Sequence, residues 1–524
     1  MDTASRVDAT EGANTASKGR AALAGAIAAG VALGVIELAA GWFPDVPSFV
    51  VAIGDAVIDW SPGWFVRFGV ENLQANDKPG LLLGIVVVSL LIGVNLGLLA
   101  RRRFGAAAAG FAVFGLLGVA AADRLPLTSM AWSLLAAIVG VAAGVGTLRL
   151  LLTVATDAPP GSARANVDDA LGRRSFLVAA GGFTVLAAVT AVVGRRLLDT
   201  VATAADRLGI ALPRPTTPAP PVPAGAALAV DGITPLVSPN DGFYRIDIEL
   251  SVPHYGAQDW KLRVTGDVDA PYELTYAELL GMPMVEEYVT LACVSNEVGG
   301  PLVGNALWLG VPLADVLARA GPHAGADQIV GRSIDGFTTG MPTATALDGR
   351  TALIAVGMNG EPLPDAHGFP MRLVVAGLYG YVSATKWLTE LQLTQFSAFD
   401  PYWVELGWDA MAPVLVESRI DVPGNGRKVS AGRQVVAGVA WAPVAGISRV
   451  EVQIDDGAWA DATLADAISP ATWRQWTLPW DAVAGRHVVR VRATDGAGTV
   501  QTADQREPFP NAATGYHQIA VNVT

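Results

Sequence analysis

Val289-Thr290-Leu291-Ala292-Cys293-Val294-Ser295-Asn296-Glu297-Val298-Gly299-Gly300, with Gly304-Asn305-Ala306-Leu307-Trp308-Leu309-Gly310-Val311-Pro312-Leu313 just after it, is the stretch on which the reading of this chain turns. An apolar run ending in Cys, then a polar Ser-Asn and paired glycines, describes a strand that delivers a thiol to its end with tight backbone around it. Cys293 is the single cysteine of 524 residues, so it belongs to no intramolecular disulfide and no cluster of metal-binding cysteines. A lone cysteine is ordinarily a small buried apolar residue. Ahead of this polar, glycine-rich turn it reads instead as one thiolate ligand, and soft thiolates suit soft or redox-active metals.

The segment resembles the molybdenum-binding loop of the sulfite oxidase family, in which one protein cysteine supplies a thiolate to a molybdenum held by the dithiolene of a pterin. A second segment is similar to that family's pterin-binding stretch: His367-Gly368-Phe369-Pro370-Met371-Arg372-Leu373-Val374-Val375, then Gly377-Leu378-Tyr379-Gly380-Tyr381 and Lys386-Trp387. The pterin carries a phosphate, which needs cations and backbone N–H donors. His367, Arg372 and Lys386 supply the cations, and the glycines allow close approach. The resemblance therefore implies Cys293 as metal ligand and catalytic centre, and Ser295, Asn296, His367, Arg372 and Lys386 as cofactor-binding residues.

Asn240-Asp241-Gly242-Phe243-Tyr244-Arg245 resembles the strand by which the family's chain enters the site, where an asparagine contacts the pterin and an arginine reaches the substrate. Asn240 carries over. Arg245 is displaced by one position, and a one-residue shift turns a strand's side chain to the opposite face, so it is left out. Asp400-Pro401-Tyr402-Trp403 stands near the family's substrate-pocket tyrosine, which makes Tyr402 a candidate catalytic hydroxyl. Val439-Ala440-Trp441-Ala442-Pro443, Trp473-Arg474-Gln475-Trp476 and Gly515-Tyr516-His517 are similar to pieces of the family's C-terminal dimerisation domain, and as residues they read as sandwich core and turns. The resemblance covers roughly residues 230–524.

Composition explains the rest. With 52% hydrophobic and 16% charged residues the chain is too apolar for an ordinary soluble protein, and a net charge of −13 excludes a nucleic-acid partner. Apolar runs of bilayer-spanning length lie near 21–43, 80–100, 104–122, 128–154 and 175–194. The stretch Pro47 to Val66 is interrupted by Asp55, Asp59 and Pro62, with Arg67 just beyond, and reads as a short interfacial or re-entrant piece. Arg6, Lys18 and Arg20 before the first span, and Arg101 to Arg103 between the second and third, place those ends inside. Counting crossings puts everything after the fifth span outside, with Arg195 and Arg196 mildly opposed. Gly172-Arg173-Arg174-Ser175-Phe176-Leu177 resembles the twin-arginine export signal, and reads equally as a positive-inside anchor. None of the five histidines lies in a span, so the bundle offers no bis-histidine haem site.

The expected organisation is multi-domain. A cytoplasmic tail (1–20) precedes an all-α five-span transmembrane domain (21–200) and a Pro-rich linker (201–230). An α+β sulfite-oxidase-type molybdopterin domain (231–405) and an immunoglobulin-like β-sandwich (406–524) follow. Within the α+β part, Trp260, Leu262 and Val264 alternate as in a half-buried strand, and Thr275 to Leu280 reads as a short helix.

The resemblance implies oxygen-atom transfer to or from a small substrate at a molybdenum-molybdopterin cofactor outside the cytoplasmic membrane. It also implies a separate cytochrome or quinone-linked electron carrier, and a homodimer through the C-terminal domain. Sulfite oxidases carry arginines just after the loop asparagine; here those positions are Glu297 and Val298. A sulfoxide or N-oxide is therefore expected ahead of the sulfite dianion. Three alternatives stay open: a sulfite dehydrogenase, a non-catalytic membrane component with a degenerate cofactor fold, and a bundle that serves within a larger electron-transfer complex.

Overall fold

The computed structural model describes residues 16–43, 45–62, 77–125, 128–155, 165–250, 252–253 and 255–524; Arg6, Arg67 and His254 lie outside them. The chain divides into two compact units, Met1–Ala204 with Glu249–Val252, and Ala205–Ile248 with Pro253–Thr524.

The first unit is helical: α1 (Lys18–Trp42), α2 (Phe49–Trp60), α3 (Asp77–Ala100), α4 (Phe104–Ala122), α5 (Met130–Val154) and α6 (Ala165–Leu208). Five of these are long and apolar enough to cross a membrane, and they fall where the apolar runs place them. α2, at 12 residues, is too short to cross; Ser48 caps its N-terminus by accepting the Val51 N–H. Where lipid offers no hydrophobic drive between helices, small residues let backbones meet. A Cβ on Gly25 of α1 would lie 2.1 Å from the Gly93 carbonyl oxygen of α3. Glu37 is buried inside α1, and the Ser48 hydroxyl donates to its Oε1 at 2.7 Å.

α6 runs unbroken past the fifth span to Leu208. Arg173 and Arg174 are exposed on it, while Phe176 joins the bundle's core. The Pro-rich segment beyond is extended, as its prolines dictate, but it is no free spacer. Thr216 N–H donates to Met284 O at 2.8 Å, Glu286 N–H donates to Thr217 O at 2.9 Å, and Ala226 is fully buried. The linker expectation is corrected accordingly: residues 201–208 continue α6 for about two turns, and the rest adds backbone hydrogen bonds to the second unit.

The second unit begins with two sheets around one core, the first mixed and the second antiparallel. One sheet runs β2-β1-β10-β5-β6, from β1 (Lys261–Gly266), β2 (Tyr272–Thr275), β5 (Gln328–Ser333), β6 (Thr338–Pro342) and β10 (Leu388–Thr394). The other runs β3-β4-β7-β8, with β9 on β7, from β3 (Val285–Ala292), β4 (Val303–Pro312), β7 (Ala352–Met358), β8 (Glu361–Pro362) and β9 (Arg372–Val375). Leu262 and Val264 of β1 point inward, and Thr275 caps the helix α7 (Tyr276–Leu280) in a reciprocal box with Glu278. Residues 231–250 pair with no sheet, so the expected strand at Asn240 to Arg245 does not form.

The chain ends in two facing sheets. One is β11 (Glu417–Val422), β13 (Gly432–Trp441), β17 (Arg474–Ala482) and β16 (Thr463–Leu464), in that order. The other is β12 (Lys428–Val429), β19 (His517–Val523), β18 (Gly485–Asp495), β14 (Ile447–Ile454) and β15 (Ala460–Asp461). Val450, Val452, Val489, Val491 and Trp476 fill the space between them. Trp441 and Trp473 instead belong to the core of the preceding sheets.

Candidate active site

Cys293 follows the last residue of β3 and is 8% exposed. Its turn is closed by its own backbone: Cys293 N–H donates to Leu302 O at 2.9 Å, and Asn296 N–H to Cys293 O at 3.1 Å. Leu302 N–H donates to Asn296 Oδ1 at 2.8 Å. Gly299 takes φ +79°, and a Cβ there would lie 2.1 Å from Cδ2 of His517, so only glycine admits that ring. Burial pushes the Cys293 thiol pKa up, and hydrogen bonds from Ser295 oppose this. Ser295 is exposed beside the thiol, and Asn296 secures the loop.

Burial raises the pKa of the Tyr244 and Tyr379 hydroxyls, and the charge of Cys293 adds to the rise in both. Tyr402 lies elsewhere in the contact pattern. At the start of a short helix (Tyr402–Glu405), its ring packs on Phe337 and Trp403, and its N–H donates to Thr338 Oγ1 at 3.0 Å. The sequence missed Tyr244 and Tyr379 although both sit in the segments that resemble the family.

Arg372 opens β9 and is 6% exposed. Among the described residues its guanidinium donates to backbone carbonyls, of His367 at 3.1 Å, Leu373 at 3.3 Å and Ala384 at 3.5 Å, and lies over the Trp308 ring. Among the described residues no carboxylate pairs with it. Desolvation pulls its pKa down to about 10, against the influence of Tyr244. A buried cation without a counterion is costly and is the natural seat of an anionic ligand.

Lys386 lies next to it in the same pattern, 8% exposed, donating to Asp247 Oδ2 and to Ala366 O at 3.1 Å. Burial takes its pKa down to about 8, with Asp247 opposing. Asp247 also holds Arg245, Nε to Oδ2 at 2.7 Å. The register argument against Arg245 therefore fails: with no sheet there, period-two alternation does not apply, and Arg245 joins Lys386 through a shared carboxylate. Gly368 takes φ +102°, and a Cβ there would lie 2.9 Å from that of Lys386.

His367 is 4% exposed, its Nε2 2.8 Å from Asn240 O. Desolvation lowers its pKa to about 4, helped by Arg372, Lys386 and Arg245. Asn240 reaches it by its carbonyl alone. The Asn240 side chain is engaged by the β7–β8 hairpin, donating to Glu361 Oε1 at 2.6 Å and accepting from Asn359 Nδ2 at 2.8 Å. Asn359, at φ +53° ahead of Gly360, is a further residue that sequence reasoning missed; Asn-Gly between two strands is its signal. Glu297 is exposed, where water and salt screen its charge. That weakens the repulsion of a dianion expected from sequence.

The residues fit a phosphate-bearing, thiolate-ligated group. The segments supply a lone buried thiol and a buried guanidinium that no carboxylate pairs among the described residues, and glycines keep the neighbouring backbone bare.

Comparison with known proteins agrees. The oxidoreductase molybdopterin-binding domain family matches residues 249–403. The uncharacterized oxidoreductase YuiH of Bacillus subtilis is 36% identical over 145 residues, 28% of this chain and 70% of that one. Human mitochondrial sulfite oxidase is 29% identical over 340 residues, 55% of this chain and 62% of that one, so the chain spans about three fifths of its length. The solved sulfane dehydrogenase SoxCD of Paracoccus pantotrophus aligns with a TM-score of 0.48 at 22% identity, covering 56% of this chain and 85% of that one.

Proposed function

Since the chain belongs to the sulfite oxidase family of molybdopterin-binding oxidoreductases, we propose that it is a membrane-anchored enzyme exchanging an oxygen atom with a small neutral substrate. A sulfoxide or an N-oxide fits best, and a separate carrier brings or removes electrons one at a time. The bound molybdenum-pterin cofactor supplies the two-electron redox chemistry. Cys293 would give the metal its protein thiolate. Arg372 and Lys386 would bind the pterin phosphate, charge-assisted bonds that replace the hydration both cations lack. His367, held neutral by burial and oriented by the Asn240 carbonyl, would hydrogen-bond the pterin. Ser295 would stand beside the thiolate, and Asn296 would keep the loop closed.

The substrate class is supported by the loop itself, where Glu297 and Val298 follow Asn296 in place of arginines, and by the buried hydroxyls of Tyr244 and Tyr379, on which the charge of Cys293 acts. Hydroxyls can donate to a neutral oxygen without the guanidinium cluster a dianion requires. A sulfite dehydrogenase is the second reading, favoured by Arg245 beside Lys386 and by the screened Glu297. The five apolar helices would hold the catalytic unit to the cytoplasmic membrane, on its outer side by the positive-inside rule.

Metal and pterin analysis of the purified chain, followed by kinetics with dimethyl sulfoxide, trimethylamine N-oxide and sulfite, tests the proposal. We expect molybdenum near one per chain and turnover of a neutral oxide. Cys293→Ser should fold and show no turnover, because a hydroxyl does not replace a soft thiolate. Sulfite oxidation at about 10⁶ M⁻¹s⁻¹ with no turnover of either oxide would establish the second reading instead, and a chain without molybdenum would refute both.

A further inference from the structure

Phe337, Tyr402, Trp403, Trp408 and Phe509 form one continuous run of rings. Centroids lie 5.7 Å apart for Phe337 and Tyr402, 5.1 Å for Tyr402 and Trp403, 6.4 Å for Trp403 and Trp408, and 5.3 Å for Trp408 and Phe509. None of the five is fully buried: Phe509 is 50% exposed and the others are half-buried. Met411, three residues past Trp408, is 56% exposed. A contiguous apolar patch that faces water marks an interaction site, and Trp, Tyr, Phe and Met are the residue types enriched where proteins meet.

The rings are tied to the candidate site by a single turn. The Tyr381 ring lies 5.8 Å from that of Trp408, and its hydroxyl donates to Asp409 O at 2.6 Å. Tyr379 N–H donates to Ala412 O at 2.9 Å. A Cβ on Gly380, between those tyrosines, would lie 3.8 Å from the carbonyl oxygen of Ala292, the residue before Cys293. Residues 379–381 therefore stand between the patch and the end of the strand that delivers the thiol. Electron transfer weakens steeply with distance, so a carrier has to come to rest on a surface close to the metal ligand.

Charge selects the occupant. Residues 400–411 and 504–510 hold Asp400, Glu405, Asp409, Asp504 and Glu507, all exposed, against one cation, Arg506, whose Nε donates to Thr514 Oγ1 at 3.0 Å. Among the described residues none of the five carboxylates is in an ion pair. Arg332, over the Phe399 ring, is held by Gln392 at 2.6 Å. A second copy of the same face would set carboxylates against carboxylates, and anionic lipid headgroups would be repelled likewise. A basic face is attracted, and such charges speed the encounter.

We propose that this acid-rimmed aromatic patch is the docking face for the electron carrier, and that the carrier is a small protein with a basic surface around its redox group. The inference rests on the oxidoreductase reading above, whose partner it specifies. Each encounter moves one electron. In the reducing direction two carriers are oxidised for each oxygen atom removed, XO + 2 H⁺ + 2 e⁻ → X + H₂O, with both protons from solvent; the opposite reaction reduces two carriers. Redox encounters are small, under about 1,200 Å² in total, so a patch of this kind is enough to hold a transient partner.

A basic c-type cytochrome and an acidic flavodoxin serve as probes, with dissociation constants measured by thermophoresis on the full chain in nonionic detergent. Asp400→Asn, Glu405→Gln, Asp409→Asn and Glu507→Gln are combined in one variant. A control variant changes Asp231, Asp259, Asp315 and Asp481 to Asn, an equal loss of charge at exposed positions away from the rings. At low salt the cytochrome should bind the wild type and the flavodoxin should not. The rim variant should bind it at least 10-fold more weakly, the control less than 3-fold. That difference should vanish at about 1 M salt, where charges are screened beyond about 3 Å. Met411→Ser with Phe509→Ser should weaken binding at both salt concentrations. Cys293→Ser should bind as the wild type does, and dye-driven turnover of the rim variant should be unchanged. Equal losses in the rim and control variants overturn the docking face, as does tighter binding of the flavodoxin. A dimer in sedimentation that Met411→Ser with Phe509→Ser dissociates gives the face to a second copy and overturns it too. A molybdenum-free wild type overturns the proposed function instead, a result independent of these binding constants.

Discussion

Trp473 donates its backbone N–H to the hydroxyl of Thr290 at 2.7 Å, so a residue of the C-terminal part completes the strand that ends in Cys293. The Thr290 hydroxyl in turn donates to Asn305 Oδ1 at 3.1 Å, while the Asn305 amide and the Trp473 indole both donate to Leu236 O. Arg419 and His517 grip the following turn at Gly300 and Gly299. The C-terminal sheets thus form one wall of the candidate site.

Thr290→Val keeps the shape of the side chain and removes both of its hydrogen bonds. The Trp473 N–H and the Asn305 carbonyl oxygen are left buried without partners, at roughly 1–3 kcal/mol each. The urea midpoint should fall, and molybdenum content should fall with it. An unchanged midpoint would show that the link contributes nothing.

Arg372→Met should separate folding from cofactor binding. Removing a buried guanidinium that lacks a carboxylate relieves a desolvation cost, so the cofactor-free protein should be as stable as the wild type or more so. Its affinity for the pterin should drop roughly 10- to 100-fold, the equivalent of about 1.5–3 kcal/mol for a charged hydrogen bond. Equal pterin content in variant and wild type after dialysis would remove Arg372 from the phosphate site.

Acid should destabilise the catalytic unit early. Desolvation lowers His367 and His517 to about 4 in the fold, while the unfolded chain titrates near the ordinary value of about 6.5. Between those values the unfolded state binds more protons, so stability is lost as pH falls from about 6.5 towards 4. His517 Nδ1 accepts the Ile420 N–H at 2.9 Å, which requires the neutral ring. His517→Gln should flatten the pH dependence of the urea midpoint in this window by about one proton, and an unaltered slope would contradict the assignment.

Export by the twin-arginine route predicts that Arg173→Lys with Arg174→Lys strands the catalytic unit in the cytoplasm while the first four spans still insert. Charge is preserved, so topology is controlled. Phe176, which the signal pattern requires, is buried in the bundle's core. Unaltered protease accessibility of the catalytic unit in the double variant would establish a plain anchor.

Much was legible because it is local. Twenty apolar residues mark a span wherever they occur, and all five helices stand where those runs fall. Alternation at Leu262 and Val264, and the Thr275–Glu278 box, likewise need only neighbours a few residues apart. Cys293, His367, Arg372 and Lys386 were recognisable as a constellation from residue type and order.

Register and partnership were not legible. Arg245 was set aside by a rule for strands, and tertiary folding left its segment unpaired so that Asp247 could bridge it to Lys386. Tyr402 was chosen by position along the chain, and the burial of the Tyr244 and Tyr379 hydroxyls is set by segments distant from both. By itself the sequence determined which segments are long and apolar enough to cross a membrane and which chemical groups are available, because propensity and hydrophobicity act over a few residues. The tertiary structure alone decided which groups lose water together and so what their charges cost: desolvation and ion pairing depend on neighbours more than a hundred residues away, as between Asp247 and Lys386.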